Sequence, residues 1–244
     1  MLDIHSHLIF GVDDGSSCLE ESIRMLETAK KSSIDTIIAT PHFQNGIFNN
    51  DGVLEKFELL LDRAADYNID LRLGNEVLAG DTIINIIKSE KSISFDNSQS
   101  ILIELPYNAS FEYAARLIHK IAATKLKIII AHPERNRKIK KNFSEFINLL
   151  HTTNCQVQID AGSIIGVYGV LVKEVARQLL KAKVANFVAS NAHCSKDYMT
   201  IYPAAVHKVY QLCDEEYAIK LLESNSPEIV TVEGGPSNYG REIG

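Results

Sequence analysis

The chain lacks the features that mark several protein classes. Its 244 residues hold no run of about 18 apolar residues, so no membrane span is expected. Met1-Leu-Asp-Ile-His5 has no basic stretch leading into an apolar one, and no export signal is read there. The four cysteines, Cys18, Cys155, Cys194 and Cys213, show no Cys-x-x-Cys spacing and read as reduced thiols of a cytoplasmic protein. None begins a Cys-x5-Arg segment, which argues against a cysteine-nucleophile phosphatase. Basic charge is not in excess: 25 Lys and Arg face 31 Asp and Glu, for a net charge of −6. That balance speaks against nucleic acid as the main partner, because binding a phosphate backbone needs a basic surface. A local basic pocket for one phosphate remains compatible with it. No tandem repeat and no linker divide the chain, so residues 1–244 read as one domain, with 226–244 as a C-terminal tail.

What is present is a globular composition, 45% hydrophobic and 23% charged, with short β-branched runs alternating with amphipathic segments. Strands are expected at Leu2–His5, Thr36–Thr40, Leu71–Asn75, Ile101–Leu105, Ile128–Ala131, Gln156–Asp160 and Ala185–Ser190. Helices are expected at Leu19–Lys31, Val53–Tyr67, Phe111–Ala123, Phe143–Thr152, Leu171–Lys183, Ile201–Cys213 and Glu215–Leu222. Runs such as Ile128-Ile129-Ile130 are apolar without alternation, as in strands covered on both faces by helices. Ser16 and Ser17 are expected to cap the first helix. These alternating units predict an α/β fold, a closed or distorted (β/α)7 barrel, with an open doubly wound sheet as the second choice.

Five of the eight histidines fall where an expected strand runs into a loop, and acids fall at similar places. They occur in Asp3-Ile-His5-Ser-His7, Thr40-Pro-His42, Asn75-Glu76, Glu104-Leu-Pro, Ala131-His132-Pro-Glu and Ser190-Asn191-Ala-His193. In a barrel, strand ends of this kind share one face. Imidazoles and carboxylates gathered there suit a cluster of divalent ions. His5 and His7 are spaced to face one way, and Asn191 and His193 repeat the spacing on the last strand. Such a pair alone is a weak signal; two pairs with His42, Glu76 and His132 between them are a strong one. Asp13 reads equally as a turn residue and as a functional one. Glu104 sits inside an apolar run, where an acid must be paired or bound to a metal. His119, His151 and His207 lie in helical segments and read as ordinary surface histidines.

Past His132 come Arg135 and Arg137, suited to bidentate phosphate recognition. Lys138, Lys140 and Lys141 read as a solvated basic face. Gln158 and Asp160 suit roles behind the ligands, with plain strand-end polarity as an equal reading. The Glu-rich and Lys-rich ends of Leu19–Lys31 leave a homo-oligomer and a solvated face equally open.

The series DIHSH, DDG, ATPH, GNE, ELP, AHPERN and SNAH resembles the PHP (polymerase and histidinol phosphatase) superfamily, from residue 2 to about residue 225. Within it, the sequence is most similar to the bacterial protein-tyrosine phosphatases that accompany capsule and exopolysaccharide synthesis. The resemblance implies a distorted (β/α)7 barrel holding up to three divalent ions, commonly manganese, with Fe, Zn or Mg as alternatives. It implies metal ligands at His5, His7, Asp14, His42, Glu76, Glu104, His132, Asn191 and His193. Arg135 would be the catalytic arginine, with Asp14 beside it, and Arg135, Arg137 and Lys196 would contact substrate. The implied substrate is phosphotyrosine on a bacterial tyrosine autokinase.

Two positions depart from that pattern. The family has Asp where this chain has Asn191, and a neutral amide offsets none of a cation's charge. The family often has an Arg shortly after the last motif, where this chain offers only Lys196. Two alternatives therefore stand beside the tyrosine phosphatase: a small-molecule phosphomonoesterase of the histidinol-phosphatase kind, and a catalytically weakened metal-binding regulatory module.

Overall fold

A computed structural model describes residues 1–44, 46–88, 94–95, 99–124 and 126–224. The expected tail at 226–244 lies outside them. In chain order the elements are β1 (Leu2–Ser6), α1 (Leu19–Lys31), β2 (Thr36–Ala39), β3 (His42–Phe43), α2 (Val53–Asp66), β4 (Asp70–Leu73), β5 (Glu76–Leu78) and α3 (Ile83–Lys88). There follow β6 (Ser100–Glu104), α4 (Phe111–Ala122), β7 (Lys127–Ala131), α5 (Phe143–Thr153), β8 (Gln156–Asp160), α6 (Ala161–Ile165), α7 (Val170–Lys181), β9 (Phe187–Ala189), α8 (Tyr202–Leu212) and α9 (Glu215–Ile219). No helix among the described residues is long and apolar enough to cross a membrane.

All strand pairings are parallel, as the unalternating apolar runs require. They form two sheets, ordered β1-β2-β4 and β3-β5-β6-β7-β8-β9. The seven expected strands are all present, with no end shifted by more than two residues, and β8 has the expected bounds. Two strands were not expected. Beyond Ala39 and Leu73 the ladder between neighbouring strands breaks, and the chain restarts it as the short pair β3 and β5, with His42 opposite Glu76. Segments of two and three residues are too short to show a period, so sequence alone gives no sign of them.

Apolar side chains segregate into two clusters. The larger packs the helices onto the outer faces of the strands. The smaller gathers Leu2, Ile4, Ile38, Leu102, Ile129 and Phe187, so side chains from both sheets meet in one inner core. The first and last strands are also tied. Ser6 bridges Ala192 in parallel, and the Asn191 amide donates to the His5 carbonyl at 2.9 Å. Buried Asp3 strengthens this seam: its carboxylate accepts from the Ser190 amide and hydroxyl and from the Tyr198 hydroxyl. Asp3, the second residue of β1, thus serves as a structural tie.

The first turn of α1 corrects the expected cap. Cys18 occupies the N-cap with no side-chain cap bond, and Ser16 instead donates to the Cys18 carbonyl at 3.0 Å. Gly15 shows why this loop is so tight. A Cβ there would lie 2.3 Å from both the Cβ and the carbonyl oxygen of His7, so only glycine lets the Asp13-Asp14 turn fold over that imidazole.

Candidate metal centre

Most polar groups of the centre sit near the C-terminal end of a strand, His42 and Glu76 three residues past β2 and β4 where the short β3 and β5 begin, and Asp14 in the loop after β1. β1 delivers His5 and His7, β3 delivers His42, β5 begins with Glu76, and β6 ends with Glu104. His132 follows β7, and Asn191 and His193 follow β9. Two of these positions have a left-handed backbone, His132 with φ 28° and Asn191 with φ 49°. Asn tolerates that region well. His132 precedes Pro133, which disfavours the right-handed helical alternative. Strained residues of this kind persist where surrounding contacts fix them, and they cluster at functional sites.

Glu76 is the centre of the arrangement. It is 1% exposed, and its two oxygens face four imidazoles. Oε1 lies 2.8 Å from His132 Nε2. Oε2 lies 3.0 Å from His42 Nδ1, 3.2 Å from His5 Nε2 and 3.4 Å from His7 Nε2. Despite those short distances, Oε2 has no hydrogen bond of acceptable geometry. His5 Nε2 and His7 Nε2 also face each other at 3.2 Å. Lone pairs converging on one point, with an orphaned buried oxygen among them, have the donor chemistry of a cation site. On this observation the residues present fit divalent metal ions.

The groups behind the imidazoles support that fit. His7 Nδ1 donates to Asp13 at 2.7 Å, His5 Nδ1 to the Gln158 side-chain oxygen at 3.1 Å, and His193 Nδ1 to the Asn191 carbonyl at 2.9 Å. With Nδ1 used in this way, the neutral form of each ring directs its Nε2 lone pair at a ligand. Asp13, read from sequence as equally a turn residue, also accepts from the His42 and Gly15 amides. Gln158 accepts in addition from the His132 amide. The Asp-Asp-Gly turn was a signal for Asp13, but only the fold shows which imidazole it steers.

Three overlapping groups have ligand atoms within 4.8 Å of one another: His5, His7 and Glu76; His42, Glu76 and Glu104; and His7, Asp14, His42 and His193. Asp14 Oδ1 lies 3.4 Å from both His42 Nε2 and His193 Nε2. His132 joins through Glu76. Asn191 is buried; its amide nitrogen donates to Asp160 at 2.9 Å, and its Oδ1 has no hydrogen-bond partner. Eight of the nine sequence-derived ligand candidates therefore lie in or against one cluster, and Asn191 touches it through its backbone carbonyl, which accepts from His193 Nδ1. His119, His151 and His207 are exposed on helices, as expected.

Electrostatics follow from the crowding. Burial works against a charged His7, but Asp13 and Glu76 outweigh it and hold the ring protonated up to about 10. Burial also opposes ionisation of Asp13, yet the His7 partner brings it down to about 2. Burial and the Glu76 charge push Glu104 up. Burial, then the His7 charge, pushes His193 down.

The sign of the His7 shift sets a pH dependence. A raised folded pKa stabilises the metal-free protein fully below 6.5, and that contribution is lost as pH rises through about 10. A metal must displace the same proton, so its apparent affinity is expected to rise with pH across that window. Asp13→Asn removes the charge of the main partner and leaves at most a neutral amide oxygen to orient the ring. It is expected to weaken metal binding by about 10- to 100-fold and to flatten the pH dependence. Calorimetric titration of the metal-free protein in two buffers of different ionisation enthalpy reads both effects.

On the rim, Arg135 Nη1 lies 3.6 Å from buried Asp160, and its guanidinium stacks 4.4 Å over Tyr168. Arg137 donates to the Tyr107 hydroxyl at 3.0 Å. Lys196 is exposed, three residues beyond His193.

Comparison with known proteins matches residues 1–231 to a family described as capsular polysaccharide synthesis, CpsB/CapC. The chain is 34% identical over 197 residues to the tyrosine-protein phosphatase YwqE of Bacillus subtilis, covering 79% of this chain and 77% of that protein. A crystal structure from work on YwqE of Bacillus subtilis and CpsB of Streptococcus pneumoniae, described as unique metal-dependent tyrosine phosphatases, superposes with a TM-score of 0.80 at 31% identity. It covers 89% of this chain and 90% of that one. A histidinol phosphate phosphatase from Lactococcus lactis shares the fold, with a TM-score of 0.59 at 15% identity over 86% of this chain and 93% of that one.

Proposed function

The chain belongs to the CpsB/CapC family of capsular polysaccharide synthesis, and from that membership we propose that it is a metal-dependent protein-tyrosine phosphatase whose centre is the cluster around Glu76. The observation that carries this reading is the Glu76 carboxylate, buried with its two oxygens directed at four imidazoles. The two sheets, their shared inner core and the Ser6–Ala192 bridge are best read as a distorted (β/α)7 barrel with its metal site at the C-terminal ends of the strands.

His5, His7, Asp14, His42, Glu76, Glu104, His132, Asn191 and His193 would hold up to three divalent ions, a set of imidazoles and carboxylates that suits such cations, with manganese the leading choice because the family resemblance implies it. Such ions, when bound, lower the pKa of a coordinated water and neutralise phosphate charge. The remaining work falls to the chain. Asp13 and Gln158 fix the His7 and His5 rings, so the ligands are in place before substrate arrives. Arg135, held between Asp160 and Tyr168, presents its guanidinium to the phosphate at the pocket mouth, with Arg137 and Lys196 farther out. Tyrosine, with a pKa near about 10, leaves as a phenolate without a strong proton donor. Asn191 carries no charge, but Asp160 places a carboxylate 2.9 Å from its amide, so negative charge is present at that corner of the cluster. The substrate is assigned to a bacterial tyrosine autokinase of polysaccharide synthesis.

The test is side-by-side turnover of a phosphotyrosine peptide and histidinol phosphate by the manganese-loaded protein. The peptide is expected to be preferred by more than about tenfold in kcat/KM, because a site shaped around an aromatic phosphate discriminates by contacts worth 1–3 kcal/mol. The opposite preference would assign a small-molecule phosphatase.

A further inference from the structure

Beside the metal cluster runs a groove of about 630 Å³ whose lining extends past Arg135 and Arg137, the two residues the phosphatase reading uses, to Lys138, Lys140, Lys141, Val170 and Leu171. Arg135 lines it and pairs with Asp160, the carboxylate that also accepts from Asn191, so the groove adjoins the position proposed for the phosphate. One wall carries Arg137, Lys138, Lys140 and Lys141. The three lysines are exposed, as expected of a solvated face, and together with both arginines they line a concave surface. This is a local reversal of sign on a chain of net charge −6. Among the described residues, no carboxylate pairs within 4 Å with Arg137, Lys138, Lys140 or Lys141. Glu112 and Glu174 reach Lys138 and Lys140 only at longer range.

The opposite wall is apolar. Val170 is 81% exposed and Leu171 66% exposed at the start of α7, with Tyr168 beside them. Large aliphatic side chains left this open, contiguous and rimmed by charge, mark a binding surface more than a folding one. The groove therefore combines exposed positive charge from residues 137–141, exposed apolar side chains at the start of α7, and Arg135, with the buried Glu134 as the one acid among its described lining residues.

We propose that this groove binds the polypeptide flanking the phosphorylated tyrosine and selects segments that carry acidic residues together with an apolar side chain. The proposal rests on the tyrosine-phosphatase reading and names the class of substrate that site takes. The acidic residues lie against the Arg137–Lys141 wall, and the apolar residue lies against Val170 and Leu171. Several partly exposed charge pairs, each weak alone, together change affinity by roughly tenfold.

Three phosphotyrosine peptides of equal length test this: one with acidic flanks and a leucine, one with neutral flanks, and one with basic flanks. Binding is read by fluorescence anisotropy, and turnover by phosphate release, with para-nitrophenyl phosphate as a substrate that has no flanks. The acidic, leucine-bearing peptide is expected to bind about tenfold more tightly than the neutral one and to have a correspondingly lower KM. The preference is expected to shrink in high salt. It is expected to invert in a Lys138→Glu, Lys140→Glu, Lys141→Glu variant, and the wild-type panel decides alone if that variant fails to fold. Equal binding of all three peptides by the wild-type protein overturns the groove while leaving the phosphatase intact. Selective binding without turnover of any phosphoester overturns the phosphatase and leaves the groove. Absence of flank selectivity combined with self-association that Leu171→Lys abolishes would assign the face to a second copy of the chain, and also overturns the proposal.

Discussion

Glu76→Gln is expected to lower phosphotyrosine turnover by roughly a hundredfold to a thousandfold or more, the kinetic equivalent of the 3–5 kcal/mol lost when a buried charged partner is removed. The substitution keeps the shape of the side chain and changes its chemistry. Glu76 is buried and is shared by two of the three groups of converging ligand atoms. The surrounding imidazoles hold it ionised against burial, with its pKa well below the usual carboxylate value. Glutamine offers no charge to a cation and turns an amide donor toward nitrogens that should present lone pairs. Bound metal should therefore fall with activity, while the fold, whose two apolar clusters do not include Glu76, persists. Steady-state kinetics with metal counting by mass spectrometry, and circular dichroism as the check on folding, read all three. Turnover within a few-fold of wild type would mean that the carboxylate does not organise the chemistry.

Chelation is the second large effect. Prolonged treatment with a strong chelator is expected to abolish turnover, and added Mn2+ to restore it, because no nucleophilic cysteine stands ready in the cluster to act without metal. Stability should move with it. A ligand at a hundred times its Kd stabilises the folded state by about 2.7 kcal/mol, which for a chain of this size raises Tm by roughly 5–10 °C. The structure gives the reason: His5 Nε2, His7 Nε2 and a buried Glu76 oxygen with no hydrogen bond converge within 3.4 Å, so a bound cation would tie the end of β1 to the start of β5. Activity that survives chelation, with an unchanged melting curve, would remove the metal from the account.

Much of this arrangement was legible before the fold, for a physical reason. Strands buried on both faces read as short apolar runs, and a parallel sheet puts all their C-terminal ends on one side. Histidines and acids just past those runs therefore converge wherever each strand lies in the sheet. The bounds of α1 and β8 were legible to the residue, because an amphipathic period and a bounded apolar run define them. The short strands His42–Phe43 and Glu76–Leu78 and the short helices Ile83–Lys88 and Ala161–Ile165 were not, since tertiary contacts and not local pattern hold them. The roles of Asp13 and Asp160 were hidden for a related reason. Asp13 lies in a turn that any Asp-Asp-Gly would make, and the partners of Asp160 come from segments about 25 to 31 residues away in the chain. The lysines after Arg137 could be counted in the sequence, but only the fold shows that they face a groove.

The central claim is that His5, His7, His42, Glu76, His132 and His193 form one pocket that holds several cations. An anomalous-scattering map from crystals grown with manganese, measured on either side of the manganese absorption edge, tests it most directly. The account predicts strong peaks within the pocket, one between His5, His7 and Glu76 and another between His42, Glu76 and Glu104, with Asp14 and His193 beside a third. A map with no manganese peak in this pocket, or with its peaks on another face of the molecule, would contradict it.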